Sequence, residues 1–236
     1  MSEEQASGQA SDGTGEESSG QVLGAADDQN ERSAGQVDDP QPDHQATPSA
    51  GSAGQVALLA PLYEVFVRQG YHGASLTDLA RGCGRGKASL YHHFPGGKRE
   101  MLDLLIRHSA ERLETLAYGH LRRDADPPRR LRRFIDGFAA YTDGGRRNCL
   151  LGVLSATTPE LLGDALGARQ QEWRALLEST LRDAGAGKKS ARHLARSVLA
   201  RLYGSLALDR LEPEDESFRR TCKRLKKELA DAFDGN

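Results

Sequence analysis

The side chains best suited to binding chemistry lie in a short segment, residues 87–94, that is predicted to form a helix. Because successive helical residues turn by about 100°, Leu90 and Phe94 share one face, which should pack inward. The opposite face carries small, hydroxyl and imidazole side chains: Ala88, Ser89, Tyr91 and His92. Small residues permit close approach to a nucleic-acid groove, and hydroxyl groups bond phosphates or base edges. With Lys87 at its start, this face has side chains that could contact nucleic acid.

Two short predicted helices and a turn must position this face. Ser75 and Asp78 have the spacing of a capping box, which predicts a helix to about Cys83, and Gly84-Arg85-Gly86 ends it. Residues 76–94 therefore have the length and the turn of a helix-turn-helix. A tight helical hairpin with no role in binding has the same spacing, so the spacing alone leaves both interpretations open.

Charge is distributed unevenly along the 236 residues. The net charge is −2 for the whole chain, but it is −10 for residues 1–54 and +8 for residues 55–236. Because residues 55–236 are basic, nucleic acid is a possible partner despite the acidic segment before them. Residues 1–54 also contain no aromatic residue and almost no large apolar one. Such a segment cannot bury enough apolar surface to offset its ordering entropy, which predicts a disordered tail.

The rest of the sequence has helical periodicity and no convincing alternating strand, which predicts an all-α fold. The predicted helices outside the helix-turn-helix cover residues 56–70, 98–121, 127–142, 159–181, 188–209 and 213–233. Thr158 is expected to cap the fourth of these, with Pro159 at its first position. Pro61 is tolerated only in a first turn, so order in the first helix is expected from about Ala60.

Several classes of protein are not expected. No stretch approaches the roughly 20 apolar residues of a membrane span, and the acidic amino-terminus is unlike a signal peptide, so a cytoplasmic protein is predicted. The widely spaced Cys83, Cys149 and Cys222 indicate reduced thiols. The histidines lack metal-ligand spacing, and no catalytic motif is present, so neither a metal, a cofactor nor an enzyme activity is predicted.

Two stretches, 70–80 and 86–98, closely resemble the DNA-binding domain of the tetracycline-repressor-like (TetR) family. The resemblance covers about residues 56–110 and is most specific in Ser-Leu-Tyr-His-His-Phe, residues 89–94, followed by Lys98. A weaker resemblance links Asn148-Cys149-Leu150-Leu151-Gly152 to one branch of that family. Two departures are Arg85, where the family has an aliphatic turn residue, and Pro61, where it usually has alanine.

The resemblance implies a role for each matching residue. Thr77, Tyr91, His92 and Lys98 would contact phosphates, and Lys87, Ala88 and Ser89 would face the major groove. It also implies a helix-turn-helix domain over 55–110 and a helical ligand-binding and dimerisation domain over 111–236. The expected protein is a ligand-responsive regulator, a repressor, that binds a pseudo-palindromic operator as a homodimer. The alternative is a helical small-molecule sensor or scaffold without specific DNA binding.

Two sets of residues in the second domain have two interpretations each. Aromatic residues at helical spacing could line a pocket for an unknown effector, or they could fill a core: Phe134, Phe138, Tyr141 and Trp173. Apolar stripes near the carboxyl end could form a dimer interface, or a monomeric core: Leu194, Val198, Leu202, Leu206, Phe218 and Leu225. Dimerisation is favoured because one helix-turn-helix reads only a half-site.

Overall fold

The computed structural model describes residues 51–122 and 126–233. Their helices are α1 (Ala53–Gly73, interrupted at Gly70), α2 (Leu76–Gly82), α3 (Lys87–His93), α4 (Gly97–Leu116), α5 (Pro127–Tyr141), α6 (Leu150–Thr157), α7 (Gly163–Asp183), α8 (Lys188–Leu211) and α9 (Ser217–Phe233). No strand occurs in this described part of the chain, which confirms the all-α class. Residues 1–50 of the predicted disordered tail lie outside the described residues.

Helix α1 begins earlier than the sequence predicted. The Ser52 hydroxyl accepts a hydrogen bond from the backbone of Gln55 at 3.3 Å, and the Gln55 side chain accepts one from Ser52 at 2.8 Å. This capping box starts the helix at Ala53, so the predicted boundary after residue 54 is two residues late. Pro61 consequently lies well inside the helix, and the expected start near Ala60 is wrong. The turns around Pro61 are held by core packing of Leu58 and Leu62.

Helices α1 to α4 enclose one part of the hydrophobic core. Leu90 and Phe94 are 1% and 0% exposed, which confirms the predicted inward face of α3. They pack among fully buried side chains from the other three helices: Leu62, Phe66, Leu79, Met101 and Leu102. The packing fixes the orientation of α3 and leaves its opposite face toward solvent.

Helices α5 to α9 continue the core into a helical bundle. The Phe138 ring lies at its centre, 5.5 Å from the Tyr203 ring and 6.2 Å from the Phe218 ring between centroids. Helix α5 passes directly against the end of α4 at Gly137, where an added Cβ would overlap the Leu116 carbonyl and lie 2.9 Å from Ala117 Cα. A residue without a side chain is therefore required there. No helix in residues 51–122 or 126–233 has the length and hydropathy to cross a membrane.

Three predicted helix boundaries need correction. Helix α4 stops at Leu116, and the chain continues as a 3₁₀ segment, Tyr118–Arg122. Thr158 does not cap α7, because its backbone N–H bonds Leu154 O at 2.8 Å and closes α6 instead; a 3₁₀ turn follows, and α7 begins at Gly163. Helix α9 begins at Ser217, since Glu216 has a left-handed conformation with φ of 46°.

Candidate nucleic-acid interface

The first helix of the predicted helix-turn-helix has the predicted cap. The Ser75 hydroxyl accepts from the Asp78 backbone at 3.1 Å and donates to the Asp78 carboxylate at 2.6 Å. That hydrogen bond from Ser75 is the main cause of the lowered pKa of the Asp78 carboxyl. Arg81 adds an exposed ion pair to Asp78 at 3.2 Å. Thr77 stands exposed in the first turn of α2, where unpaired backbone N–H groups favour an anion.

The turn between α2 and α3 is closed by backbone hydrogen bonds. The Arg85 N–H bonds Ala80 O at 2.9 Å, and the Gly84 N–H bonds Arg81 O at 3.0 Å, which is the Schellman pattern. Gly84 has φ of 60°, a left-handed conformation that glycine adopts without strain. The Arg85 side chain is exposed. The turn therefore needs no aliphatic residue at position 85, and it leaves a cation at the surface.

Helix α3 presents the face that the sequence predicted. Lys87, Ala88, Tyr91 and His92 are exposed, with Tyr91 45% exposed, and Ser89 is half-buried. A tyrosine with nearly half of its surface in water, on a helix held rigidly by Leu90, is placed to meet a partner molecule.

The carboxyl end of α3 is fixed by a residue that sequence reasoning missed. The Gln55 side-chain amide donates to His93 O at 2.8 Å and to the Glu100 carboxylate at 3.1 Å. The other Glu100 oxygen accepts from the Gly96 backbone at 2.8 Å. Gln55 thereby ties α1 to the end of α3 and the start of α4. Its position three residues after Ser52 was the available signal, because that is the spacing of a capping box.

Lys98 has intramolecular partners. Its ammonium group donates to Ala74 O at 3.2 Å and lies 4.4 Å from the centre of the Tyr71 ring. The side chain is half-buried between the start of α4 and the corner that joins α1 to α2. Lys98 therefore stabilises the domain as well as carrying a positive charge.

A second group that sequence reasoning missed joins these helices to the rest of the chain. The Tyr63 hydroxyl on α1 donates to Asn148 O and accepts from the Leu150 N–H at 3.2 Å, at the start of α6. The Arg147 guanidinium lies 4.1 Å from the centre of the Tyr63 ring and pairs with Glu64 at 3.1 Å. Tyr63 follows Leu62 and precedes Glu64 on a helix with an ordinary apolar pattern, so nothing in the sequence marked it as more than a core residue.

The four predicted pocket residues are buried. Phe134, Phe138, Tyr141 and Trp173 are at most 3% exposed. Tyr118 connects two of them: its ring is 5.0 Å from Phe134 and 4.5 Å from Trp173 between centroids, stacked on the latter. The Trp173 indole N–H donates to Glu114 at 2.5 Å. All four therefore pack in the core of this structure, and a pocket at this position stays a prediction.

The predicted interface residues lie within a single chain. Five are buried by their own chain, and Leu194 is half-buried: Val198, Leu202, Leu206, Phe218 and Leu225. The same part of the chain exposes two large apolar side chains, Leu208 at 51% and Leu211 at 79%. The dimer interface at the predicted residues stays a prediction, and the exposed Leu208 and Leu211 are further apolar surface on α8.

A capped α2, a closed turn and an exposed α3 on a shared core define a helix-turn-helix DNA-binding protein. Residues 58–105 match the family model described as bacterial regulatory proteins, tetR family. Within these residues the chain is similar to the DNA-binding domain of TetR family transcriptional regulators, which agrees with the resemblance found in the sequence. The assignment to a particular branch through residues 148–152 stays a prediction.

Two relatives of known class are similar over most of the described chain. The HTH-type transcriptional regulator LmrA of Bacillus subtilis is 26% identical over 156 residues, covering 64% of this chain and 83% of that protein. The HTH-type transcriptional activator FasR of Mycolicibacterium smegmatis is 28% identical over 145 residues, covering 61% and 66%. Both are transcriptional regulators by name, which agrees with the function class that the sequence predicted.

Solved structures share the fold. The TetR family regulator PfmR of Thermus thermophilus has a TM-score of 0.58 and 23% identity, covering 73% of this chain and 96% of that one. AibR, solved in complex with isovaleryl coenzyme A and operator DNA, has a TM-score of 0.53 and 21% identity, covering 64% and 85%. These likenesses extend the fold assignment beyond residues 58–105.

Proposed function

We propose that this regulator is a homodimeric repressor that binds a pseudo-palindromic operator and releases it when a small molecule binds. The observation that supports DNA reading most directly is the outward face of α3, held in place by the buried Leu90 and Phe94. The DNA target would place the protein in the cytoplasm.

The proposed contacts divide into two kinds. Lys87, Ala88 and Ser89 would face base edges in the major groove, because they occupy the amino-terminal half of α3 on its open side. Phosphate contacts would come from side chains around that half: Thr77, Tyr91, His92 and Lys98. An ammonium group has three donors, so Lys98 can bond a phosphate while it keeps its bond to Ala74.

Base-by-base competition binding tests the reading helix. Lys87→Ala and Ser89→Ala should change which base pairs are preferred, by roughly 1–3 kcal/mol for each lost base contact. His92→Gln should weaken binding to all sequences about equally. Lys189→Ala, which removes an exposed lysine of α8, is the matched control and should change nothing. If both α3 variants keep the base preferences of the parent protein at every operator position, α3 does not read the operator.

The dimer proposal uses the outer face of α8. Two recognition helices must lie roughly 34–36 Å apart to enter successive major grooves of a palindrome. Large apolar side chains at 51% and 79% exposure, Leu208 and Leu211, are typical of a surface that a partner covers. Leu208→Glu should yield a folded monomer in sedimentation and weaken operator binding. If this variant remains a dimer with normal binding, the interface lies elsewhere.

The effector and the direction of regulation are tested separately. AibR is named with isovaleryl coenzyme A, and FasR is named an activator, so relatives of this chain include a ligand-bound regulator and an activator. The proposed effector site lies among Phe134, Phe138, Tyr141 and Trp173, which would have to open to admit a ligand. Trp173 is the single tryptophan, so its fluorescence reports binding there. A reporter gene placed behind the DNA that lies upstream of this protein's own gene distinguishes repression from activation, because its expression falls in the first case and rises in the second.

A further inference from the structure

A cleft of about 140 Å³ shares Tyr141 with the proposed effector site but none of its other three residues. It is bounded by α1, α4, the end of α5 and the segment that precedes α6. Its lining comprises Val56, Leu59, Ala60, Tyr63, Leu105, His108, Ser109, Arg112, Tyr141 and Arg147. Drug-sized ligands need roughly 300–1,000 Å³, so this cleft fits only a small molecule.

One part of the lining is apolar. Leu59 and Leu105 form its buried portion, and Val56 stands 49% exposed at its edge. An exposed valine beside a recess leaves apolar surface for the hydrocarbon part of a ligand. An inorganic anion has no hydrocarbon part and would leave this apolar surface uncovered.

The other part of the lining presents hydrogen-bond donors. The Tyr141 hydroxyl is buried and interacts with the Tyr63 and Ser109 side chains, although neither contact has the geometry of a good hydrogen bond. This side of the lining is therefore polar. Ser109, 1% exposed, and Tyr63 also bring hydroxyl groups to the lining.

The cleft is also electropositive. Three of its side chains are basic, and none is acidic: His108, Arg112 and Arg147. Arg147 pairs with Glu64, which is outside the lining, while Arg112 is exposed at the surface of α4. Burial lowers the pKa of His108, and the positive charges of Arg112 and Arg147 lower it further against the opposing effect of Glu111. An anion placed here would relieve that repulsion.

We propose that this cleft binds a small organic carboxylate with a short hydrocarbon chain. Its carboxylate would accept charged hydrogen bonds from Arg112, and its chain would lie against Leu59 and Leu105. The ligand would touch α1 and α4 of the DNA-binding domain and residues 141 and 147 beyond it. A change in operator affinity on binding follows from linkage, and that expectation rests on the proposed function.

The test is a calorimetric titration of the full chain, without DNA, using butyrate. Saturable binding is expected, and 1-butanol and inorganic phosphate should bind at least about tenfold more weakly, since each lacks one half of the recognised chemistry. The His108 imidazole signal, followed by NMR, should show a raised pKa when butyrate is bound. Because DNA is absent, a failure of the DNA-binding proposal does not affect this result.

Variants locate the site. Arg112→Gln should weaken butyrate binding about tenfold or more, and Arg192→Gln, which changes an exposed arginine of α8, should not. Ala60→Leu should fill the cleft and abolish binding, while Ala57→Leu adds the same side chain to an exposed position of α1 outside the lining. Absence of butyrate binding, equal binding of phosphate, or full binding by Ala60→Leu would each overturn the proposal.

Discussion

The Lys98 ammonium lies 4.4 Å from the centre of the Tyr71 ring and donates a hydrogen bond to Ala74 O at 3.2 Å. Tyr71 in turn lies parallel to Phe66, with ring centroids 6.3 Å apart. Lys98, at the start of α4, thus stabilises the connection between α1 and α2. A residue assigned to DNA by resemblance also has a structural role, and the two roles can be separated by experiment.

Lys98→Ala should lower the free energy of unfolding by about 1–2 kcal/mol, because it removes a cation–ring contact and a charged hydrogen bond. Lys87→Ala should change it by less than about 0.5 kcal/mol, since Lys87 is exposed. Urea denaturation measures both. An equal effect of the two substitutions would show that the Lys98 contacts contribute nothing to stability.

Leu90→Ala should destabilise the chain by roughly 2–5 kcal/mol, because it leaves a cavity at a side chain only 1% exposed. Tyr91→Ala, one residue further on, should leave stability nearly unchanged and should weaken operator binding. Thermal unfolding and a DNA titration of both variants give the comparison. The prediction fails if Tyr91→Ala is the more destabilising of the two.

Gly137→Ala should cost on the order of 3 kcal/mol or more, because its Cβ would overlap the Leu116 carbonyl and the two helices cannot approach as closely. Gly167→Ala is the control within α7, where an added Cβ meets no atom within 4 Å. That substitution should stabilise the chain by about 0.5–1 kcal/mol through helix propensity. Calorimetric melting of both proteins checks the opposite signs.

A disulfide reagent at about pH 8 should label Cys83 first in the folded chain. Cys83 is half-buried, whereas Cys149 and Cys222 are buried, and burial raises the pKa of Cys222 to about 11. Labelling of the other two should require denaturant. Mass spectrometry of the labelled peptides identifies the order, and early modification of Cys149 would contradict it.

Stability should decrease as the pH falls from about 7.5 to 5, in part through His108. Its pKa in the folded chain is lowered by burial and by Arg112 from a usual value of 6.5, so the unfolded chain binds the proton more readily. His108→Gln should make the free energy of unfolding less sensitive to pH in this window. The carboxyls with lowered pKa, Asp78, Asp215 and Glu228, lose their contributions at more acidic pH. If the stability of His108→Gln depends on pH as that of the parent protein does, His108 is not the source of this effect.

The sequence was sufficient where a pattern is local. The Ser75 cap, the turn at Gly84 and the inward positions of Leu90 and Phe94 depend on neighbouring residues, and the structure confirms them. The start of α7 was predicted too early, because Thr158 closes α6 and also precedes the 3₁₀ turn that begins at Pro159, and α7 follows only at Gly163.

Contacts between distant residues could not be predicted in this way. The bonds of Gln55 to His93 and of Tyr63 to Leu150 join positions 38 and 87 residues apart, and no periodicity encodes them. The periodicity of α8 and α9 located their apolar stripes correctly, but it could not tell a stripe covered by its own chain from one covered by a second copy. Burial of Leu202 within one chain needed the three-dimensional structure.

The hydroxyl of Tyr63 has a consequence for how the chain could be divided. It belongs to α1, yet its hydrogen bonds go to Asn148 and Leu150, and α4 runs uninterrupted past the predicted boundary at residue 110. Excising residues 55–110 would sever α4 and strip the covering from one flank of α1. We therefore expect the helix-turn-helix segment to unfold in one transition with the helices behind it, and not to fold when it is excised at residue 110.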